Sequence, residues 1–292
     1  MTTQLITPGQ VKQYKRLVED AADKALVGSD KDRLQRLIEN GDEFQARIIA
    51  SIRGFSGGNW LVGERVTSSY TYPEEYKGPK PIEVQIRTIA EIFDLDPSYA
   101  LEFAKNLPAL PEGAEGWFAI PQVGVLAKRF FEATEAQEYC RAVRVSHEKI
   151  ANSRPFCNHY EMRITSDHLR PTYALDLIVE TQKKGDILIV AAQFGLRFRG
   201  FSTRLACDTF ATNEFGLGAV AVACMLLTHP ERESRAEQLH IDCAGDKFAA
   251  AGGYFSHVPV FSFSRAGEVE FHFRRYDCAA ERFGSASAFL LQ

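Results

Sequence analysis

Glu268-Val269-Glu270-Phe271-His272-Phe273-Arg274 alternates three apolar residues, Val269, Phe271 and Phe273, with four polar ones. A period of two is that of a strand with one face packed and the other open. The polar row runs on into Arg275-Tyr276-Asp277-Cys278-Ala279-Ala280-Glu281-Arg282, which mixes cations, acids and a phenol, and the chain then closes through Phe283-Gly284-Ser285-Ala286-Ser287-Ala288-Phe289-Leu290-Leu291. With the apolar stretch from Val258 in front of it, this tail reads as a β-hairpin followed by a last strand. Its exposed side chains suit recognition better than catalysis.

Upstream, Asp186-Ile187-Leu188-Ile189-Val190-Ala191 is continuously apolar and rich in β-branched residues, the mark of a strand covered on both faces. Two helices are expected after it, over 202–210 with Ser202 as cap and over 217–228, stopped by His229-Pro230. Gln238 to Cys243 alternates like another strand. Before Gly185 the pattern is helical. Thr7-Pro8-Gly9-Gln10 carries a capping box with Pro at the first helical position and opens an amphipathic stretch through Ala25. Further helices are expected over 30–39, 44–52, from Pro81 to Phe93, after Asp96-Pro97, and around 123–131, 133–150 and 172–184. The segment from Tyr70 to Pro79 reads as turns and extended chain. Leu107-Pro108-Ala109-Leu110-Pro111 marks a boundary, giving a helical domain over 1–106, a helical connection over 107–184 and a mixed domain over 185–292.

Composition bounds what such a chain does. Its 292 residues, 45% hydrophobic and 25% charged, suit one large or two ordinary globular domains. A formal net charge of −4 gives no overall attraction to phosphate, so nucleic acid is not an expected partner. Six cysteines without a Cys-x-x-Cys pair make neither a disulfide scaffold nor a zinc ribbon. The N-terminus lacks the basic and apolar regions of a secretory signal, and the longest apolar run, Leu217 to Leu227, is too short to span a bilayer. A cytoplasmic protein without membrane insertion is expected.

The order of elements after Gly185, with its late hairpin and a terminal strand of small and aromatic residues, resembles the C-type-lectin-like fold. It looks most like the variable proteins of diversity-generating retroelements, although the terminal strand here reads Ser287-Ala288-Phe289 where those proteins carry Gly-Phe-Arg. The whole chain is also similar to an uncharacterised family of hypothetical proteins of reduced-genome bacteria, through Glu115-Gly116-Trp117-Phe118-Ala119-Ile120-Pro121, His229-Pro230-Glu231-Arg232, His240-Ile241-Asp242-Cys243-Ala244-Gly245-Asp246 and Gly284-Ser285-Ala286-Ser287. The resemblance implies an α+β protein, a helical N-terminal region followed by a C-type-lectin-like mixed α/β domain. It also implies a non-enzymatic ligand-binding role, with a diversified hairpin surface presented to a protein or glycan.

On that reading His272, Arg274, Arg275, Tyr276, Asp277 and Arg282 are the contact residues, because Tyr and Arg give large contact area and several donors. Charges paired across a solvated hairpin are the plainer reading. The competing enzyme reading, a hydrolase or transferase, uses His240 and Asp242 on one face of a strand with Cys243 as nucleophile, helped by His159 if the fold brings Cys157-Asn158-His159 near. Against it, Asp242, Gly245 and Asp246 make an ordinary Asx-rich turn. Phe194-Gly195-Leu196-Arg197-Phe198-Arg199-Gly200-Phe201-Ser202 is a basic aromatic loop without the Lys-Ser/Thr of a P-loop, and reads as a strand-to-helix connection. No cofactor or metal is implied. A third reading is a structural subunit assembling through Tyr70 to Tyr76, and the N-terminal helices are candidates for oligomer contacts.

Overall fold

Seven consecutive residues, Ile187–Gln193, are buried on both faces, which is what their uninterrupted apolar run demands of the surrounding chain. The computed structural model describes residues 64–127, 134–171, 174–182, 184–250 and 255–291, with Lys15, Lys31 and Gln35. The chain divides into two compact units, Met1–Trp60 and Leu61–Gln292, and the described architecture is that of the second. The helices expected over 7–25, 30–39 and 44–52 lie outside the described residues.

In chain order the elements are α1 (Ile82–Phe93), α2 (Ser98–Phe103), β1 (Gly116–Pro121), α3 (Val123–Ala127), α4 (Glu135–Ser153), β2 (Phe156–Asn158), β3 (Leu169–Pro171), α5 (Ala174–Gln182), β4 (Ile187–Gln193), α6 (Thr203–Thr209), β5 (Glu214–Gly216), α7 (Ala219–Thr228), β6 (His240–Asp242), β7 (Asp246–Ala249), β8 (Phe255–Phe263), β9 (Val269–Arg275), β10 (Phe283–Ser285) and β11 (Ser287–Phe289). The protein is α+β. Local chemistry sets several of these bounds: α4 starts at a capping box between Thr134 and Gln137, and α6 at Ser202, whose hydroxyl accepts from Leu205 N at 3.0 Å. Gly218 brings no cap to α7, so the buried Asp246 serves instead, accepting from Ala219 N at 2.8 Å.

One sheet has the antiparallel order β1-β4-β11-β5. Gln182 on α5 extends it, pairing both the N–H and the carbonyl of Ile189 at 2.9 Å, as a strand would beyond the last pair of β11. Gln85 on α1 binds the carbonyl of Trp117 at 2.9 Å and so ties α1 to β1. The second sheet centres on β8, which is flanked by β9 on one edge and by β6 and β7 on the other. β10 adds to β6, β3 to β7 and β2 to β9.

The two sheets share the chain's tail. β10 lies in the second and β11 in the first, and only Ala286 separates them. At that junction the backbones of Gly195 and Gly284 touch, a Cβ on either would strike the other's carbonyl, and Gly195 sits at φ +116°. Both positions therefore require glycine.

The boundaries expected at 106/107 and 184/185 do not divide this unit. Ile86 and Ile89 of α1, Phe118 of β1, Ile187 of β4 and Val220 of α7 belong to one hydrophobic cluster. The Pro-rich 107–111 segment is a surface loop between elements of one core. β1, expected only as part of a helical region, is a strand because Phe118, Ala119 and Ile120 are all fully covered.

Candidate ligand-binding surface

In β9, Val269 and Phe271 are completely buried. Phe271 packs on His147 of α4, and Phe273, half-buried, stacks on Phe248 with ring centres 3.4 Å apart. The parity read from the sequence is thus the parity of the strand.

Glu270, His272 and Arg274 share the other face, but that face is furnished, not bare. Ser262, on β8, binds His272 Nε2 at 3.0 Å and donates to Glu270 at 3.3 Å. His159 comes within 3.5 Å of Glu270 and its ring lies 6.3 Å from that of His272. Burial holds the His272 imidazole below its usual pKa, with Glu270 opposing. Arg274 turns inward to Asp242 of β6, with Nη1 2.9 Å from Oδ2, and its guanidinium lies 4.6 Å from the centre of the Phe283 ring. Tyr276 is half-buried, its carbonyl accepting from Arg204 N at 3.0 Å, and burial raises its phenol.

The loop beyond the strand is more open. Arg275 is exposed and forks onto Asp277, at 3.0 and 2.9 Å. Arg282 is exposed as well, 3.0 Å from the Tyr70 hydroxyl and 5.4 Å from that ring's centre. Of the six expected contact residues, then, Arg275, Asp277 and Arg282 form the accessible rim, while His272, Arg274 and Tyr276 form the wall behind it.

His240 and Asp242 do share a face, and they have separate partners. His240 Nδ1 stands 2.8 Å from Glu233 Oε1, and Glu233 is fully buried. In the tautomer whose Nδ1–H donates to that carboxylate, Nε2 carries the free lone pair. Asp242 is held by Arg274 and Thr203. Burial still lifts its carboxyl above the ordinary value, since desolvation outweighs the attraction of Arg274. Cys243 is fully buried and its thiol is pushed well up by burial and by Asp246 and Asp242. A protonated, covered thiol is a poor nucleophile. The turn after it closes through Asp246 N to the Cys243 carbonyl at 3.0 Å, and His159 is committed to the Glu270 side.

Among the described residues no group of three or more His, Cys, Asp or Glu side chains is arranged to hold a metal ion. The aromatic segment expected as an assembly surface is spent within the chain: Tyr76 is buried, and Tyr72 lies under the Arg232 guanidinium at 3.9 Å while its hydroxyl binds Glu115. Glu233 escaped the sequence reading because Gln238, Arg232 and His240 meet it only after the chain has turned. No described helix is long and apolar enough to cross a membrane.

Comparison with family models, curated proteins and solved structures finds no match to this chain.

Proposed function

We propose that the chain is a non-enzymatic ligand-binding protein of C-type-lectin-like build, presenting the loop after β9 to a protein or glycan. The observation that carries this reading is the rim of exposed Arg275 and Arg282 and half-buried Asp277, held in place by the Arg275–Asp277 pair and by Tyr70. Side chains fixed before contact lose little entropy on binding, and Arg and Tyr dominate binding hot spots. The lectin-like element of the proposal draws on topology: β4 pairs with the terminal β11, α6 and α7 lie between them in sequence, and an antiparallel set follows.

Two experiments test it. The full chain is screened against a glycan array and a displayed-peptide library, and binders are re-measured with Arg275→Ala/Arg282→Ala. A loss of about 2 kcal/mol or more in the double variant is expected. Binders that ignore it, or no binders at all, would sink the reading. The diversification element predicts a reverse transcriptase gene and a near-copy of the codons for 272–282 in the flanking DNA. Their absence would remove diversification and leave binding to the first test.

A further inference from the structure

Residues 64–68 run along the basic aromatic loop 194–202 and dock onto it. Arg65 bridges Phe201, Val66 N donates to the Gly200 carbonyl at 2.8 Å, and Ser202 N donates to the Glu64 carbonyl at 2.7 Å. Gly200, at φ +76°, makes the approach possible, because a Cβ there would run into the Val66 carbonyl. Between the two segments lies an open cleft of about 700 Å³, lined by Arg65, Arg197 and Arg199 among others.

Among the described residues each guanidinium is anchored in a way that leaves most of its five N–H groups uncommitted. Arg65 lies 4.8 Å over the Phe201 ring. Arg199 Nη1 donates to the Tyr70 carbonyl at 3.2 Å, and Arg197 Nη1 stands 3.2 Å from Glu214 Oε2. Glu214 is itself fixed, accepting from Ser287 Oγ at 2.6 Å and from Ala211 N at 3.1 Å, so it neutralises one cation of the three. Among the described residues neither Arg65 nor Arg199 has a carboxylate partner. The cleft also has an apolar side, since Val66 and Leu196, each 36% exposed, and the ring of Phe201 line it. Exposed apolar side chains gathered beside unneutralised arginines mark a place for a ligand that is part anion and part hydrocarbon.

We propose that this cleft binds a small organic phosphate. A phosphoryl group carries about −1.5 to −2 charge and three acceptor oxygens, which matches the two unneutralised guanidiniums and the Thr67 hydroxyl. The organic body lies over Val66, Leu196 and Phe201. The cleft's size falls in the small-ligand range of roughly 300–1,000 Å³. None of Arg275, Asp277 and Arg282 enters this assignment, so it stands or falls apart from the recognition surface.

The test is calorimetric titration of the full chain with glucose 6-phosphate and adenosine monophosphate, alongside inorganic phosphate, glucose and adenosine. At least one organic phosphate is expected to bind about tenfold tighter than inorganic phosphate and than its dephosphorylated parent. Arg65→Ala/Arg199→Ala is expected to weaken it by about tenfold or more, since two charge-assisted hydrogen bonds are lost. The melting temperature of each unliganded variant is measured in parallel. Arg65→Glu, which alters only an exposed side chain, should weaken binding in the same sense if the double variant proves unstable. Failure of both organic phosphates to bind at millimolar concentration overturns the proposal, as does binding that survives these substitutions. Inorganic phosphate binding as tightly as the organic compounds also overturns it, because the apolar wall would then be idle.

Discussion

Arg274–Asp242 and Arg275–Asp277 are formed by consecutive arginines and have the same closest approach of 2.9 Å, yet their side chains are 12% and 0% exposed in the first pair and 64% and 34% in the second. In the exposed pair the Arg275 guanidinium draws the Asp277 carboxyl below its ordinary value. In the buried pair the Asp242 carboxyl rises despite its cation, because the cost of desolvation exceeds what Arg274 returns. Asp246 completes the series: buried, bonded to Tyr139 and Ala219 N, and pushed up to about 7 by desolvation. The same residue type therefore does three things, and the difference lies in how much water is left around it. It also separates the two halves of the expected contact surface, since the wall is where charge is locked and the rim is where charge is offered.

The hardest blow to this contrast is Asp242→Ala, which strands Arg274 against a covered face. A loss of about 3–5 kcal/mol in urea unfolding is expected. Asp242→Leu/Arg274→Met should recover most of it, because an apolar pair of similar volume replaces a buried ion pair at little cost. A double variant no better than Asp242→Ala would mean that the wider network with Thr203 is indispensable.

Asp246 gives the next largest effect, through pH. Its folded pKa lies above the unfolded one, so between about pH 4 and 7 the folded state keeps a proton that the unfolded chain releases. Stability from this group is full below that window and falls as pH rises through it. Asp246→Asn should flatten the decline and leave the protein more stable than the parent at pH 8, on the order of a few kcal/mol. A parent whose stability rises steadily across that window, unchanged by the substitution, would break the series.

Carboxyl-carbon NMR titration sharpens the pair itself. Asp242 is expected to titrate above the ordinary aspartate value and Asp277 below it. The signs of their linkage are opposite: stability from Asp277 is lost as pH falls through its folded pKa, whereas that from Asp242 is gained. Smallest of all, Asp277→Ala should change stability by no more than ~0.5 kcal/mol. A larger loss would make the rim part of the fold's support.

The half of the fold that was legible in the sequence follows from local periodicity. The two-residue alternation of 268–274, the unbroken apolar run of 187–191, the Ser202 cap and the apolar run of 217–227 each became the element expected, because the pattern extends over enough residues to be read. The three-residue strands β2, β3 and β5 offer no period to read: β2 and β3 fill an edge of the longer β9 and β7, and β5 pairs with the equally short β11. The single tail strand expected after Phe283 became two strands in two sheets, since Gly284 and Ala286 let the chain cross where Gly195 approaches. For the candidate site, the sequence overestimated the openness of the strand, because Asp242, which engages Arg274, and Thr203, which binds Asp242, are 32 and more positions away.

Alternation by itself settled which side chains of β9 share a face, as tetrahedral carbon and a pleated backbone leave no other choice. Tertiary structure alone decided which of those faces meets water. That depends on what the rest of the chain lays across it: Asp242 of β6 and Phe283 of β10 engage Arg274, Arg275 stays exposed, and Arg65 reaches Arg197 and Arg199 only because 64–68 docks on a glycine more than 130 positions away.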